Sequence, residues 1–272
     1  MTTATLTPLE APRQAGFRRT VGAEWTKLRT VRSTAWTLAA MVVVSVGLTA
    51  LVAMLAAPDL AESMAAGEPF EPVGAFATWG LSFGQIAALV LGVLVGSAEY
   101  TTGLIRATLA AAPRRLQVLG AKAVVLAGVM LVLGTATTVA SFLAGNYFLD
   151  REGIGLAIGD EGVLRAMFGG GLYLAVLALF GLALGLLVRH TAGAVTVGLG
   201  LIFVAGNLVM LIPGTVGEWL TKLMPGNAGS TIATVEHFNP MLLGPWAGFA
   251  VFTAETVALL VAAGWLFSRR DA

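Results

Sequence analysis

The chain has 272 residues, of which 57% are hydrophobic and only 11% charged, with a mean hydropathy of +0.86 and a formal net charge of +1. A soluble domain carries about 25% charge, so composition excludes an ordinary water-soluble fold. The chain contains no cysteine, which excludes a disulfide, a thiolate nucleophile and a zinc–thiolate centre.

Residues 1–16, rich in Thr, Pro and Ala, read as a disordered tail. From Phe17 the pattern changes. Phe17, Val21, Trp25, Leu28 and Val31 recur at spacings of 4, 4, 3 and 3, one face of a helix, while Arg18, Arg19, Lys27, Arg29 and Arg32 populate the rest. A basic amphipathic helix over 17–34 is expected to lie flat in the membrane interface with Trp25 at headgroup depth. The run Glu24-Trp25-Thr26-Lys27-Leu28-Arg29-Thr30-Val31-Arg32-Ser33-Thr34 resembles the opening of actinobacterial ABC type-2 permeases. By that resemblance Glu24, Trp25, Lys27 and Arg29 belong to a connecting, or elbow, helix.

Six apolar stretches follow: Ala35–Ala57, Val73–Ala98, Ala123–Leu149, Ala166–Val188, Thr191–Gly217 and Phe238–Phe267. Each is at least 20 residues long, and at about 1.5 Å per residue that crosses the ~30 Å hydrocarbon core. Helical spans are expected at about 35–57, 76–98, 123–148, 166–188, 191–213 and 246–267. The first stretch is too long for a cleaved signal and about 34 residues precede it, so it is expected to remain as an anchor. The basic residues fall on one side: 13 of the 16 lie in the N-terminal arm, the loops after spans two and four, and the tail. The remaining loops hold ten acids but only Arg151, Arg165 and Lys222. Both termini are therefore expected on the cytoplasmic side. Gly92 with Gly96, and Gly181 with Gly185, are small-xxx-small pairs that let helix backbones approach. Trp36, Trp79, Trp246 and Trp265 fall near span ends, as interface anchors do.

The segment after span two carries the densest pattern. Leu104, Ile105, Thr108, Leu109 and Ala112 give a short helix over 102–112 an apolar side. Pro113 then breaks the chain and starts a new helix that enters the membrane after Lys122. A short helix slung between two spans is a mechanical lever. Glu99 is the only acid in this basic segment and calls for a basic partner. The string Glu99-Tyr100-Thr101-Thr102-Gly103-Leu104-Ile105-Arg106, followed by Pro113-Arg114-Arg115, resembles the coupling-helix region of the same permease family. That resemblance implies that Glu99, Tyr100, Gly103, Arg106, Arg114 and Arg115 serve docking to an ATPase subunit. Arg114 and Arg115 equally satisfy the positive-inside bias without any partner, and Gly103 equally serves the turn.

The loops around Asp59–Glu71 and Asp150–Arg165 read as solvated connectors. Between spans five and six, Pro213, Gly214, Pro225, Gly226, Pro240 and Pro245 divide the chain into pieces too short to cross a membrane. They are expected to fold as short helices that dip partway in. Glu255 interrupts the last span. An ionised carboxylate there is costly, so it is expected to face the bundle interior, to pair or to be protonated: on a pathway, as a lock between helices, or as a neutral acid hydrogen-bonded to Ser, Thr or backbone.

Several chemistries are missing. There is no G-x-x-x-x-G-K-[ST] string for ATP, no H-E-x-x-H and no G-x-S-x-G, and no span contains Asp. The chain is expected to be non-enzymatic, to bind no metal or cofactor itself, and to have no nucleic-acid partner. The whole reads as an all-α membrane protein with six transmembrane helices. The resemblance implies a permease in the bacterial plasma membrane, paired with a second permease copy and two ATP-binding subunits that hold ATP and Mg. Export of a hydrophobic, lipid-like or drug-like substrate follows from the family. An ion-gradient carrier is the competing reading and needs several midplane ionisable groups where the spans offer one; a non-transporting scaffold or sensor is a third.

Overall fold

The computed structural model describes residues 16–67, 79–101, 103–111, 114–235, 239 and 241–269. The tail 1–15, Glu68, Glu71, the start of the second apolar stretch, Thr102, Ala112, Pro113, Glu236, His237, Phe238, Pro240 and Arg270 lie outside the described residues, as does the side chain of Arg106. Among the described residues all regular secondary structure is helical, with no strand.

Helix α1 (Phe17–Thr30) ends at Val31, whose extended backbone (φ −78°, ψ 113°) separates it from α2 (Arg32–Ala66). α3 covers Leu81–Thr101, and the short α4 covers Ile105–Ala111. α5 runs from Arg115 to Arg151 and α6 from Val163 to Val188. α7 (Thr191–Val209) contains a wide π turn over Gly200–Ala205. Two short helices follow, α8 (Gly214–Leu223) and α9 (Pro225–Ser230), then a 3-10 turn (Thr231–Ala233) and finally α10 (Pro245–Arg269). Six of these helices, α2, α3, α5, α6, α7 and α10, are long and apolar enough to cross a membrane.

Helix ends depart from the apolar stretches, and the departures share a cause. A backbone hydrogen bond is indifferent to the polarity of the side chain above it, so a helix continues past its apolar run until a residue stops it. α2 passes Ala57, Pro58, Asp59 and Glu62 and ends at Gly67, whose left-handed φ of +69° lets its N–H cap Met64 and Ser63 carbonyls. Asp59 and Glu62, read as loop, are therefore helical. α5, at 37 residues, extends well before Ala123 and reaches Arg151. The second long helix starts at Leu81, after a turn at Trp79 and Gly80 where the Gly80 N–H donates to Thr49 Oγ1 (2.8 Å), and residues 76–78 of the expected span lie outside the described residues. The fifth stops at Val209 rather than 213. The expected helix over 102–112 is found as Ile105–Ala111, because Gly103 adopts φ +71° and holds the chain in a turn.

α6 is the centre: 72% of its apolar window is buried within the protein. It shares its most extensive contact with α3, then with α5. The α3–α6 seam depends on the two glycine pairs, which meet each other. A Cβ on Gly92 would strike the Ala178 carbonyl and one on Gly181 the Leu89 carbonyl. On Gly96 it would lie 2.6 Å from the Leu182 carbonyl, and on Gly185 2.6 Å from that of Val93. Side chains removed at four positions let the backbones touch, and dispersion at that distance holds helices together where no water is present to drive them. Around the seam, Leu89, Val93, Leu174, Leu177, Phe180 and Leu182 form the core. A smaller cluster at the far end gathers Ala53, Leu60, Phe142, Leu149 and Val163. α9 and the turn after it are packed inside the protein as well. The Ile232 carbonyl lies against Gly169, and Gly229 lies against Phe252 and Tyr173.

Candidate functional site

Basic side chains from distant parts of the sequence gather at one end of the bundle, and there the structure assembles its most polar interior. α1 turns Thr20 and Glu24 inward, both buried, while Phe17, Trp25 and Val31 are exposed. The face of α1 that meets the protein is thus mixed, because Leu28 packs against the core beside the buried Thr20 and Glu24, while Phe17, Trp25 and Val31 remain exposed. Thr20 Oγ1 accepts from Gln117 Nε2 on α5 (2.8 Å).

One helical turn further on, four charged side chains close a ring. Lys27 Nζ donates to Glu24 Oε1 (2.8 Å) and to Glu99 Oε1 (2.7 Å). Lys122 Nζ donates to Glu24 Oε2 (3.1 Å) and to Glu99 Oε1 (2.8 Å). The ring joins α1, the end of α3 and the start of α5. Its charges cancel. Lys122 and Glu24 are almost wholly buried, with 5% and 6% of the side chain exposed, Glu99 is 12% exposed, and Lys27 is 44% exposed. Burial by itself would lower the Lys27 ammonium, but the Glu24 and Glu99 carboxylates outweigh it and hold the group above its ordinary value. Glu24 uses both oxygens. Glu99 uses only Oε1, and its buried Oε2 has no hydrogen-bond partner.

A cavity of about 470 Å³ lies beside the ring. Glu24, Lys27, Glu99 and Lys122 form its polar wall. Leu28, Leu91, Leu94, Val95, Leu104 and Val125 contribute to the apolar remainder, so α1, α3, α5 and the segment leading into α4 all border it.

The residues singled out from sequence divide. Glu24, Lys27 and Glu99 come together in the ring; Trp25 and Arg29 are exposed on the outer face of α1. Tyr100 is half-buried, with the Arg189 guanidinium 4.8 Å from its ring centroid. Gly103 makes the turn into α4, and Arg114 is exposed just before α5. Arg115 Nη1 donates to the Phe267 carbonyl (2.9 Å) and ties the start of α5 to the end of α10. The ring does not include Glu255, which lies on α10 with a buried Oε2 lacking a hydrogen-bond partner. Lys122 is the member that sequence reading missed. It was read as the last basic residue before a span, yet it is buried within α5. The lone acid Glu99 in a basic segment was the clue that such a partner existed.

Spans four and five are joined at this same end by Arg189 and His190 alone. Arg189 takes a left-handed backbone (φ 57°), and His190 Nδ1 accepts from the Gly193 N–H (3.1 Å) to cap α7. Ser97 Oγ and Thr191 Oγ1 are 2.8 Å apart, which fastens α7 to α3. Compared with models of protein families and with curated proteins, the chain matches none.

Proposed function

We propose that this chain is the permease subunit of an ABC type-2 transporter, an exporter of a hydrophobic, lipid-like or drug-like substrate driven by two separate ATP-binding subunits and working beside a second permease copy. The chain itself performs no hydrolysis; ATP and Mg belong to the partner. Both termini lie in the cytoplasm of a bacterial cell, with α1 as an interfacial elbow, α4 as the coupling helix, and α8 and α9 as short re-entrant helices on the outer side.

The observation that carries this reading is the ring. α4 hangs between α3 and α5, and the adjoining ends of those two helices are bound to each other and to α1 through Lys122, Glu99, Glu24 and Lys27. A force applied to α4 is therefore delivered to the elbow and to two spans together. The concentration of basic residues at this end supports the orientation. The first test is co-purification of the chain with a soluble P-loop protein and measurement of ATPase activity. Wild type should associate with it and stimulate turnover. Arg106→Ala, a substitution in α4, should abolish the stimulation without loss of the folded permease. An ATPase indifferent both to the chain and to this substitution would sink the proposal.

A further inference from the structure

The ring leaves hydrogen-bonding positions open on side chains that line the cavity: Glu99 Oε2 and one N–H each of Lys27 and Lys122, of which Lys27 is the more exposed. Glu99 Oε2 is buried without a donor, an expensive condition for a carboxylate oxygen. Lys27 carries three N–H donors, of which two are engaged by Glu24 and Glu99, and its side chain is 44% exposed. An acceptor that needs a donor and a donor that needs an acceptor thus sit on adjoining members of one ion pair. Beyond them the wall is mostly aliphatic, interrupted by the hydroxyls of Ser33, Thr34 and Thr108, and the volume of about 470 Å³ falls in the ~300–1,000 Å³ range of small-molecule sites.

We propose that this cavity binds a zwitterionic amphiphile with a primary ammonium, of the ethanolamine-phosphate type: its hydrocarbon chain lies among Leu91, Leu94 and Val95, its ammonium donates to Glu99 Oε2, and its phosphate accepts from Lys27 Nζ. The neutral ring selects for this head. A purely anionic head would meet the open carboxylate oxygen and supply no donor to it. A choline head carries no N–H at all. A purely cationic head would face the Lys27 ammonium. The occupant would touch α1, α3 and the approach to α4 together. The assignment does not rest on the transport reading, since binding is measured on the chain by itself.

The test compares lysophosphatidylethanolamine, lysophosphatidylcholine and lysophosphatidylglycerol of one chain length on the purified full chain in detergent, read by native mass spectrometry. The ethanolamine form should bind at least tenfold more tightly than either of the others. Leu94→Trp, which fills the apolar part and leaves the ring intact, should weaken the ethanolamine form at least tenfold. Glu99→Gln should erase the preference between ethanolamine and choline while retaining chain-dependent binding. Equal affinity for the three lipids, preference for the glycerol form, or binding unchanged by Leu94→Trp would each overturn the proposal. The wild-type selectivity and the Leu94→Trp result decide it even where Glu99→Gln does not fold.

Discussion

Two contacts of α3 hold this bundle in opposite ways. Along its middle, α3 meets α6 through glycines, and what matters is the absence of atoms: four missing side chains admit the partner backbone. At its end, α3 meets α1 and α5 through Glu99, and what matters is charge placed at hydrogen-bond distance. The seam is unforgiving, because a carbonyl cannot rotate away from an added methyl group. The ring is adjustable. Its members are long side chains, one of them half in solvent, and its pairings can be exchanged among the four. A rigid seam in the middle with an adjustable ring at the end suits a protein that keeps its spans together while something moves at one face.

The sharpest way to break the contrast is Gly181→Leu. The added side chain meets the Leu89 carbonyl and displaces α3 over its length. The loss should exceed the ~1–3 kcal/mol usual for overpacked cores, because the obstacle is backbone. Little folded protein should survive size-exclusion chromatography in detergent, and a monodisperse variant with wild-type melting would refute the seam. Next comes Lys122→Met. Removal of one partner from a buried ion pair costs about 3–5 kcal/mol, mostly from the charge left behind. The double variant Lys122→Met with Glu24→Gln should recover part of that loss, as seen in thermal melting. No recovery would mean that Lys122 acts by packing rather than by charge.

The smallest effect belongs to Lys27. Its exposure limits an ion pair of this kind to about 0–1 kcal/mol. Its folded-state proton affinity is raised above the ordinary value of 10.5. The contribution is therefore fully present below pH 10.5 and lost as pH climbs through the higher folded value. The difference in melting temperature between wild type and Lys27→Met should be constant from pH 8 to about pH 10 and should shrink beyond about pH 10.5. A difference that grows with alkalinity would place the ring's stabilisation elsewhere.

The seam was legible in the sequence and the ring only partly so, and physics explains why. Gly92/Gly96 and Gly181/Gly185 advertise themselves through spacing alone, since residues four apart on a helix share a face. Glu99 stood out as the single acid among bases. Lys122 did not, and the pairing of Lys122 with Glu24 joins residues 98 positions apart along the chain, a meeting that no local pattern encodes. Lys122 also resembles any basic residue that flanks a span. Span centres were placed well because hydropathy marks them. The helices end at Ala66 and Val209 and start at Leu81 and Arg115, away from the limits of the apolar runs, because helices stop at caps and turns rather than at changes of polarity. The π turn in α7 had no forewarning. It lies where the Ile202 carbonyl abuts Gly226, a tertiary contact.

The two-residue joint between α6 and α7 has a consequence for how this molecule moves. Arg189 and His190, fully stretched, provide only about 7 Å of slack. Arg189 is held in a left-handed bend, and His190 is engaged as a cap. The fifth span thus cannot slide away from the fourth at this end. A motion that parted the two would have to hinge there like the blades of a pair of shears, with its widest opening at the opposite tips, near Val163 and Val209.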